Sequence, residues 1–162
     1  MITIRRAGAL DARHMAEILD AIIQKGGTTA HTGHVPKGTI LEWMHRYPER
    51  SAWHIAEDET GNIIGFQFLE PHPDLRPEAC DIASFVRVGT TGLGVGSKLF
   101  DQSKKTAKEL GYAWINATIR ADNAGGLAYY QSRGFEDYAH HPNQRLDNGF
   151  IVDKVSKRYD LT

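Results

Sequence analysis

Hydrophobic and polar positions follow different periods along the chain, and each change of period marks a predicted element. Apolar and polar side chains alternate over residues 2–7, which predicts a short first strand. Apolar residues then recur at helical spacing, which predicts a helix that Asp11 caps and Gly26 ends. Thr39 and Glu42 form a capping box for a second helix. The chain is therefore predicted to begin with a strand and two helices.

Apolar runs separated by turn signals make up the rest of the chain. Residues 52–57 and 63–69 predict the second and third strands, joined by a hairpin. Residues 82–88 predict a fourth strand, which leads into a glycine-rich loop. The remaining predicted elements are a helix at 95–110, a strand at 113–118, a helix from Asn123 to Gly134, a strand beginning at 135–139, a looser stretch at 140–143 and a last strand at 150–155. This order predicts a mixed sheet flanked by helices.

Length, composition and charge limit the class of protein. The chain has 162 residues, 41% of them hydrophobic, which is enough for a core, so residues 1–162 are predicted to form one domain. The 19 basic and 20 acidic side chains give a formal charge of −1 and no electrostatic footprint for nucleic acid or an anionic membrane. The single Cys80 excludes an internal disulfide. With no apolar run suited to a signal core or a membrane span, a cytoplasmic location is expected.

Glycines at positions 89, 92, 94 and 96 mark the junction between the fourth predicted strand and the next helix. Glycine permits positive φ, and a helix start presents unpaired N–H groups at the positive end of its dipole, so this junction is suited to hold a phosphate. A Walker loop is excluded because Gly96 is followed by Ser97 and then Lys98, and a dinucleotide fingerprint is excluded because Ser97 takes the place of its third glycine. A packed connection without a ligand is the alternative at this point.

A polar, irregular segment at residues 28–36 separates the first two predicted helices and contains His31 and His34. No cysteine or carboxylate partner lies near the two histidines, so no metal site is expected. A compact domain would shorten such a loop unless it served a function. We therefore expect this loop, with Trp43 on the helix that follows, to form one wall of a substrate site.

Two segments together resemble the GNAT superfamily of N-acetyltransferases. The first, Thr91-Gly92-Leu93-Gly94-Val95-Gly96, is similar to the family's pyrophosphate loop, and Val86 ends the strand before it. The second, from Asn123 through Tyr130 to Gly134-Phe135, is similar to the family's Asn…Tyr…Gly-Phe segment. The predicted order of elements also matches. The resemblance implies an α/β (α+β) fold, with a mixed, mostly antiparallel twisted sheet of about seven strands flanked by about four helices.

The resemblance also implies an activity, the transfer of an acetyl group from acetyl-CoA to the amine of a small molecule by direct attack, with acetyl-CoA as co-substrate and no metal. Tyr130 matches the family's general acid, which would protonate the departing thiolate. Thr91 replaces the usual Arg or Gln and so removes a side chain that helps to bind the pyrophosphate. The residues expected to contact acetyl-CoA are Phe85, Val86, Thr91, Gly92, Leu93, Gly94, Val95, Gly96, Ser97, Asn123 and Tyr130.

A general base is needed because only about one primary amine in a thousand is neutral at pH 7. Asp81, at the start of the fourth predicted strand, is the first candidate for this base, followed by Glu70 and His72. Proton transfer to water is an open alternative. The residues expected to contact the acceptor amine are His31, His34, Trp43 and Glu70.

The segment Asp81-Ile82-Ala83-Ser84-Phe85-Val86 is similar to a pattern of the phosphinothricin and methionine sulfoximine acetyltransferase branch, which implies an amino acid or analogue as acceptor. A homodimer is expected, with residues 150–155 or the first helices at the contact, because the last strand is predicted to be an open sheet edge. A non-catalytic acyl-CoA-binding module and a protein or peptide N-acetyltransferase are the alternative functions.

Overall fold

Seven strands form one sheet in the computed structural model, which describes residues 1–90 and 94–161. The strands are β1 (Thr3–Arg6), β2 (Ala52–Glu57), β3 (Ile63–Glu70), β4 (Ala79–Val86), β5 (Trp114–Arg120), β6 (Glu136–Arg145) and β7 (Ile151–Asp160), in the spatial order β1-β2-β3-β4-β5-β7-β6. The helices are α1 (Ala12–Lys25), which follows a 3-10 turn at Ala9–Asp11, α2 (Lys37–Met44), α3 (Val95–Glu109) and α4 (Ala124–Ser132). Neighbouring strands are antiparallel except β4 and β5, so the predicted fold class is confirmed.

Successive side chains of a strand point to opposite faces of the sheet, so the apolar strands here present apolar side chains on both faces. Helices cover both of these faces. Helices α1 and α2 pack on one face, whose core includes Phe66 and Phe85. On the other face, side chains of α3 and α4 form a core with β5 that includes Phe100, Ile115 and Tyr130. These are called the α1/α2 face and the α3/α4 face below.

Strands β4 and β5 separate soon after they meet. Their parallel register covers three pairs, Ala79 with Trp114, Cys80 with Ile115 and Asp81 with Asn116. Beyond Asp81, β4 continues to Val86 while it pairs with β3 alone in the described register. A gap therefore opens between β4 and β5 in the middle of the sheet, and it is called the β4/β5 gap below.

Two predicted helix caps are wrong. Asp11 has helical backbone angles, and its carboxylate accepts hydrogen bonds from the Gly8 amide and the Arg5 guanidinium instead of capping α1. Helix α2 begins at Lys37, so Thr39 already lies inside the helix and cannot start a capping box. Both helices are held by their buried apolar stripes, which the sequence pattern did identify.

The C-terminal third also differs from the prediction. Residues 140–143 belong to β6, which is interrupted by a register shift between His141 and Gln144, so they do not form a loose connection. The sheet has β1 at one edge and β6 at the other, because β7 lies between β5 and β6. The prediction that the last strand forms the open edge is therefore wrong, although Phe150 and Ile151 at its start are 67% and 58% exposed.

Candidate active site

Backbone N–H groups of β4 point into the β4/β5 gap. The amide of Arg87, just after β4, donates to the Ile64 carbonyl on β3 at 2.8 Å. Because consecutive residues of a strand direct their N–H groups to opposite edges, the amides of Ser84 and Val86 point away from β3 and into the gap. Such fixed donors can polarise a carbonyl oxygen that enters the gap.

The first turn of α3 lies directly after β4 and its loop. Gly94 caps this helix with φ +76°, and apart from its chain neighbours no atom of the described residues lies within 4 Å of the position a Cβ would take there, so the described residues leave space beside this backbone for a ligand. The amides of Val95, Gly96 and Ser97 belong to the first helical turn, where N–H groups lack intrahelical acceptors. This end of α3 therefore fits a phosphate. Three predicted contacts, Thr91, Gly92 and Leu93, lie outside the described residues.

Phe85 and Val86 lie on opposite faces at the end of β4. Phe85 is buried in the core of the α1/α2 face, with its ring centroid 5.0 Å from that of Phe66. Val86 is half-buried and packs with the cluster that contains Val95 on the other face. Their backbone borders the gap, whereas the Phe85 ring belongs to the core.

Tyr130 lies on the α3/α4 face beneath β4. Its ring packs against Phe135, with centroids 5.1 Å apart, and its hydroxyl is 2.7 Å from the Ser84 Oγ. Burial raises the pKa of the Tyr130 phenol, and the hydrogen bond with Ser84 opposes part of that rise. Asn123 caps α4 as predicted, since its Oδ1 accepts from the Gly126 amide at 2.9 Å.

Tyr129, the residue before Tyr130 on α4, joins the same hydrogen-bond network. Its hydroxyl donates to the Gly96 carbonyl at 2.7 Å and accepts from Gln67 Nε2 at 3.1 Å. Gln67 Nε2 also donates to Ser84 Oγ at 2.7 Å. Gln67 and the role of Ser84 were not predicted from the sequence. A polar Gln67 inside an otherwise apolar strand was the available signal.

Asp81 lies at the vertex of the gap on the α1/α2 face. Asn116 Nδ2 donates to its carboxylate at 2.9 Å, and Glu70 is its cross-strand partner on β3. Glu70 binds Arg46 through Oε2 at 2.7 Å, while its Oε1 is buried without a hydrogen-bond partner among the described residues. Burial raises the pKa of both carboxyl groups, and for Glu70 the Arg46 guanidinium opposes the rise. The third candidate base, His72, is 43% exposed and accepts a hydrogen bond from the Asp74 amide.

Polar side chains continue from Asp81 across the sheet. Tyr138 donates to the Oδ1 of Asn116, and Asn116 Nδ2 also donates to Thr118 Oγ1 at 3.0 Å. Ser156 then bonds both Thr118 and His141 at 2.8 Å. No sequence pattern indicated this strip, because its members come from three strands whose pairing the pattern does not specify.

The two histidines of the 28–36 loop point in different directions. His31 stacks on Trp43 with ring centroids 5.1 Å apart, and burial lowers its pKa. His34 is 73% exposed and binds Asp20 on α1 at 2.8 Å. The loop is tied to the end of β5, since Arg120 Nη1 donates to the Thr29 carbonyl at 3.0 Å. The structure therefore separates a half-buried histidine that stacks on Trp43 from one that holds the loop to α1.

Residues 1–90 and 94–161 contain no group of three or more His, Cys, Asp or Glu side chains placed to hold a metal ion. Among the helices of the described chain, none is long and apolar enough to cross a membrane.

The sequence and fold match a known family. Residues 16–135 match the model of the acetyltransferase (GNAT) family, so the chain belongs to that family, and the predicted membership is confirmed. Like other members, it is an acetyltransferase that uses acetyl-CoA, for which the gap and the first turn of α3 are suited.

Several relatives share the whole fold. YwnH of Bacillus subtilis (strain 168), assigned as a phosphinothricin acetyltransferase, is 28% identical over 163 residues, which cover 99% of this chain and 95% of YwnH. The structure of yncA from Salmonella typhimurium with its cofactor acetyl-CoA has a TM-score of 0.88, 21% identity, and coverage of 99% of this chain and 94% of that one. A phosphinothricin acetyltransferase (Pat) from Sinorhizobium meliloti in complex with acetyl-CoA has a TM-score of 0.86, 19% identity, and coverage of 98% and 88%. The names of YwnH and of the Sinorhizobium meliloti protein agree with the branch that residues 81–86 indicated.

Proposed function

We propose that this protein transfers the acetyl group of acetyl-CoA to the primary amine of a small molecule, an amino acid or an analogue. The observation that carries the proposal is the β4/β5 gap, with Tyr130 on one side and Asp81 on the other. One sheet carries Asp81 and both strands of the gap, and α4, which carries Tyr130, packs on that sheet, which supports a single catalytic domain over residues 1–162.

Acetyl-CoA would supply the acetyl group as a thioester, and the residues around the gap would move the protons. Asp81, on the α1/α2 face, takes a proton from the amine, with Glu70, His72 or water as the alternatives. The amides of Ser84 and Val86 polarise the thioester carbonyl while the C–N bond forms and the C–S bond breaks. Tyr130, on the α3/α4 face, gives its proton to the departing sulfur. A protonated amine loses two protons on becoming an amide: Asp81 takes the first and passes it to solvent, and the second leaves the nitrogen for solvent once the C–N bond has formed. Tyr130 regains its proton from solvent, so each turnover releases one proton.

A small acceptor is favoured over a peptide by the contacts of the 28–36 loop. Arg120 holds the Thr29 carbonyl and Asn123 Nδ2 donates to the Thr28 carbonyl at 3.1 Å, so the loop is fastened at the far end of the gap. A peptide would need an open groove there. Relatives whose names specify phosphinothricin, itself an amine, support the same choice.

An acceptor screen tests this function. We expect thiol release from acetyl-CoA in the presence of amino acids or their sulfoximine analogues, with little release for polyamines and peptides. A preference for peptides would make the protein a peptide N-acetyltransferase. Thermal stabilisation by acetyl-CoA without turnover of any amine would favour the non-catalytic acyl-CoA-binding alternative.

Replacing Gly94 with Val is expected to raise the dissociation constant of coenzyme A at least about 10-fold. A β-branched residue resists φ +76°, so the start of α3 would shift and misplace its amides. Calorimetry measures the affinity. Gly61→Val is the matched control, since Gly61 has φ +84° and equally open surroundings in the β2–β3 hairpin. Unchanged affinity in Gly94→Val would remove the phosphate site from this turn.

The two histidines are expected to respond differently to substitution. His31→Ala removes the stack on Trp43 and should raise the Michaelis constant of the acceptor about 2- to 10-fold, without changing that of acetyl-CoA. His34→Ala breaks an exposed pair with Asp20 and should change neither constant. Steady-state kinetics with both substrates varied distinguishes them. Equal effects of the two variants would mean that the loop acts as a unit and that His31 does not border the acceptor.

Homodimer formation and a cytoplasmic location stay predictions from the sequence. The exposed Phe150 and Ile151 beside the β6 edge support a contact near the start of β7.

A further inference from the structure

A chain of hydrogen bonds runs from the first turn of α3 to Tyr130 and passes through Gln67. Gln67 lies in the middle of β3 and is 0% exposed. Its Nε2 donates to Ser84 Oγ at 2.7 Å and to the Tyr129 hydroxyl at 3.1 Å. Tyr129 donates in turn to the Gly96 carbonyl at 2.7 Å, and Ser84 Oγ lies 2.7 Å from the Tyr130 hydroxyl.

Chemistry determines the direction of the bonds in this chain as far as Ser84. A carbonyl oxygen only accepts, so the single hydroxyl proton of Tyr129 is committed to Gly96. The Tyr129 oxygen must then accept from Gln67, which requires the amide nitrogen of Gln67, and not its oxygen, to face the two hydroxyls. That nitrogen also donates to Ser84, so Ser84 keeps its own proton for the Tyr130 oxygen; either hydroxyl of this last pair can donate, and we assign the direction from Ser84 to Tyr130. The proton of Tyr130 itself is then free to point into the β4/β5 gap.

We propose that Gln67 is a positioning residue that orients the proton of Tyr130 toward the gap by acting through Ser84. With the amide reversed, the Gln67 oxygen would attract the protons of Ser84 and Tyr129. Tyr130 would then donate its proton to Ser84 and could not present it to a leaving group. Gln67 transfers no proton in this arrangement. This inference rests on the proposed role of Tyr130 as the general acid.

The same chain would also stabilise Tyr130 after it has given up its proton. Burial makes a charged phenolate unfavourable at this position. When the O–H bond of Tyr130 breaks and the proton moves to the sulfur, the phenolate oxygen keeps the hydrogen bond from Ser84, and Gln67 holds Ser84 in the donating orientation. A hydrogen bond to a charged oxygen is stronger than one to a neutral oxygen. The hydrogen bonds from Gln67 through Ser84 therefore stabilise the transition state more than the ground state.

Gln67→Met keeps the length of the side chain and removes its donors. We expect the turnover number to fall about 10- to 100-fold, while the Michaelis constant of acetyl-CoA stays within about two-fold. Because the effect passes through Ser84, adding Gln67→Met to Ser84→Ala should lower turnover no further. The proposal would be overturned if Gln67→Met lowered the turnover number equally in the unmodified protein and in Ser84→Ala, or lowered it in neither. Gln102→Met is the matched control, since Gln102 Nε2 donates to Thr106 Oγ1 within α3 and not to the network around Ser84.

A readout that does not depend on turnover is the exchange of the Gln67 side-chain amide protons in the free protein, followed by nuclear magnetic resonance in heavy water. Slow exchange that becomes faster in both Ser84→Ala and Tyr129→Phe supports the network, and fast exchange in the unmodified protein contradicts it. This measurement also decides the matter if Gln67→Met does not fold. Tyr130→Phe separates the two levels of inference. An active Tyr130→Phe would refute the proposed acid, whereas an inactive Tyr130→Phe with a fully active Gln67→Met would refute the positioning role alone.

Discussion

Replacing Tyr130 with Phe is expected to lower the turnover number about 100- to 10,000-fold, the range typical of a lost general acid. The substitution keeps the ring that packs on Phe135 and removes only the hydroxyl bonded to Ser84. Without that proton, the thiolate must leave unprotonated or take a proton from water. The affinity for acetyl-CoA should stay within about two-fold, because the first turn of α3 is unchanged. Single-turnover kinetics and calorimetry on the same preparation would measure both quantities.

Tyr159→Phe is the matched control for this experiment. Its ring lies in the same aromatic cluster, 5.5 Å from Phe135, but its hydroxyl has no place in the network around Ser84. A loss of turnover confined to Tyr130→Phe would assign the effect to the hydroxyl and not to packing. If Tyr130→Phe keeps more than about half of the turnover, Tyr130 is not the acid. Tyr129, whose hydroxyl lies in the same network, would be the next candidate.

The sequence predicted the fold well because most of its elements bury one continuous stripe or run. The spacing of Met15, Ile18 and Leu19 predicted α1, and all three side chains are buried. The boundaries of β2 were predicted to the residue. The errors lie where local signals competed with packing. The Asp11 carboxylate binds Arg5 in an ion pair with β1, which no local capping rule can anticipate.

The site was only partly predictable. The two motifs that resemble the GNAT family indicated Tyr130, Asn123 and the loop before α3, because each motif is contiguous in sequence. Asn116 and Gln67 were missed because they are isolated polar residues in buried strands, and their function depends on register. Asp81 and Asn116 come together only because β4 and β5 pair in parallel at that level and no further.

The positions of the two candidate catalytic groups follow from the parity of β4. Asp81 and Ser84 lie an odd number of residues apart, so their side chains point to opposite faces of the sheet. Tyr130 is hydrogen-bonded to Ser84 and therefore lies on the α3/α4 face. Asp81 lies on the α1/α2 face, as do His31 and Trp43. The acceptor and the leaving group can thus be served from different sides of one gap, which supports direct transfer without a covalent intermediate on the protein.

Replacing Asp81 with Asn is expected to move the acidic limb of the pH–rate profile upward. Burial raises the pKa of Asp81 above its ordinary value, which makes this carboxylate a stronger proton acceptor than an exposed one. Without this base, the reaction depends on amine that has already lost its proton in solution. Turnover at pH 7 should fall about 100-fold and recover part of the loss as the pH approaches about 10. Initial rates across this pH range, with acetyl-CoA saturating, would measure the shift.

The same substitution should leave the fold intact or make it more stable. Because the pKa of Asp81 is higher in the folded state, the folded state binds a proton more tightly, and the stability that the protonated form contributes is lost as the pH rises through that pKa. The neutral amide of the Asp81→Asn variant would carry no such loss, so above the folded-state pKa the variant should melt at or above the temperature of the unmodified protein. Asp101→Asn on the exposed side of α3 is the control for the removal of one charge. A profile that does not move in Asp81→Asn would exclude Asp81 as the base, and Glu70→Gln, which changes its cross-strand partner, would then be expected to give the shift.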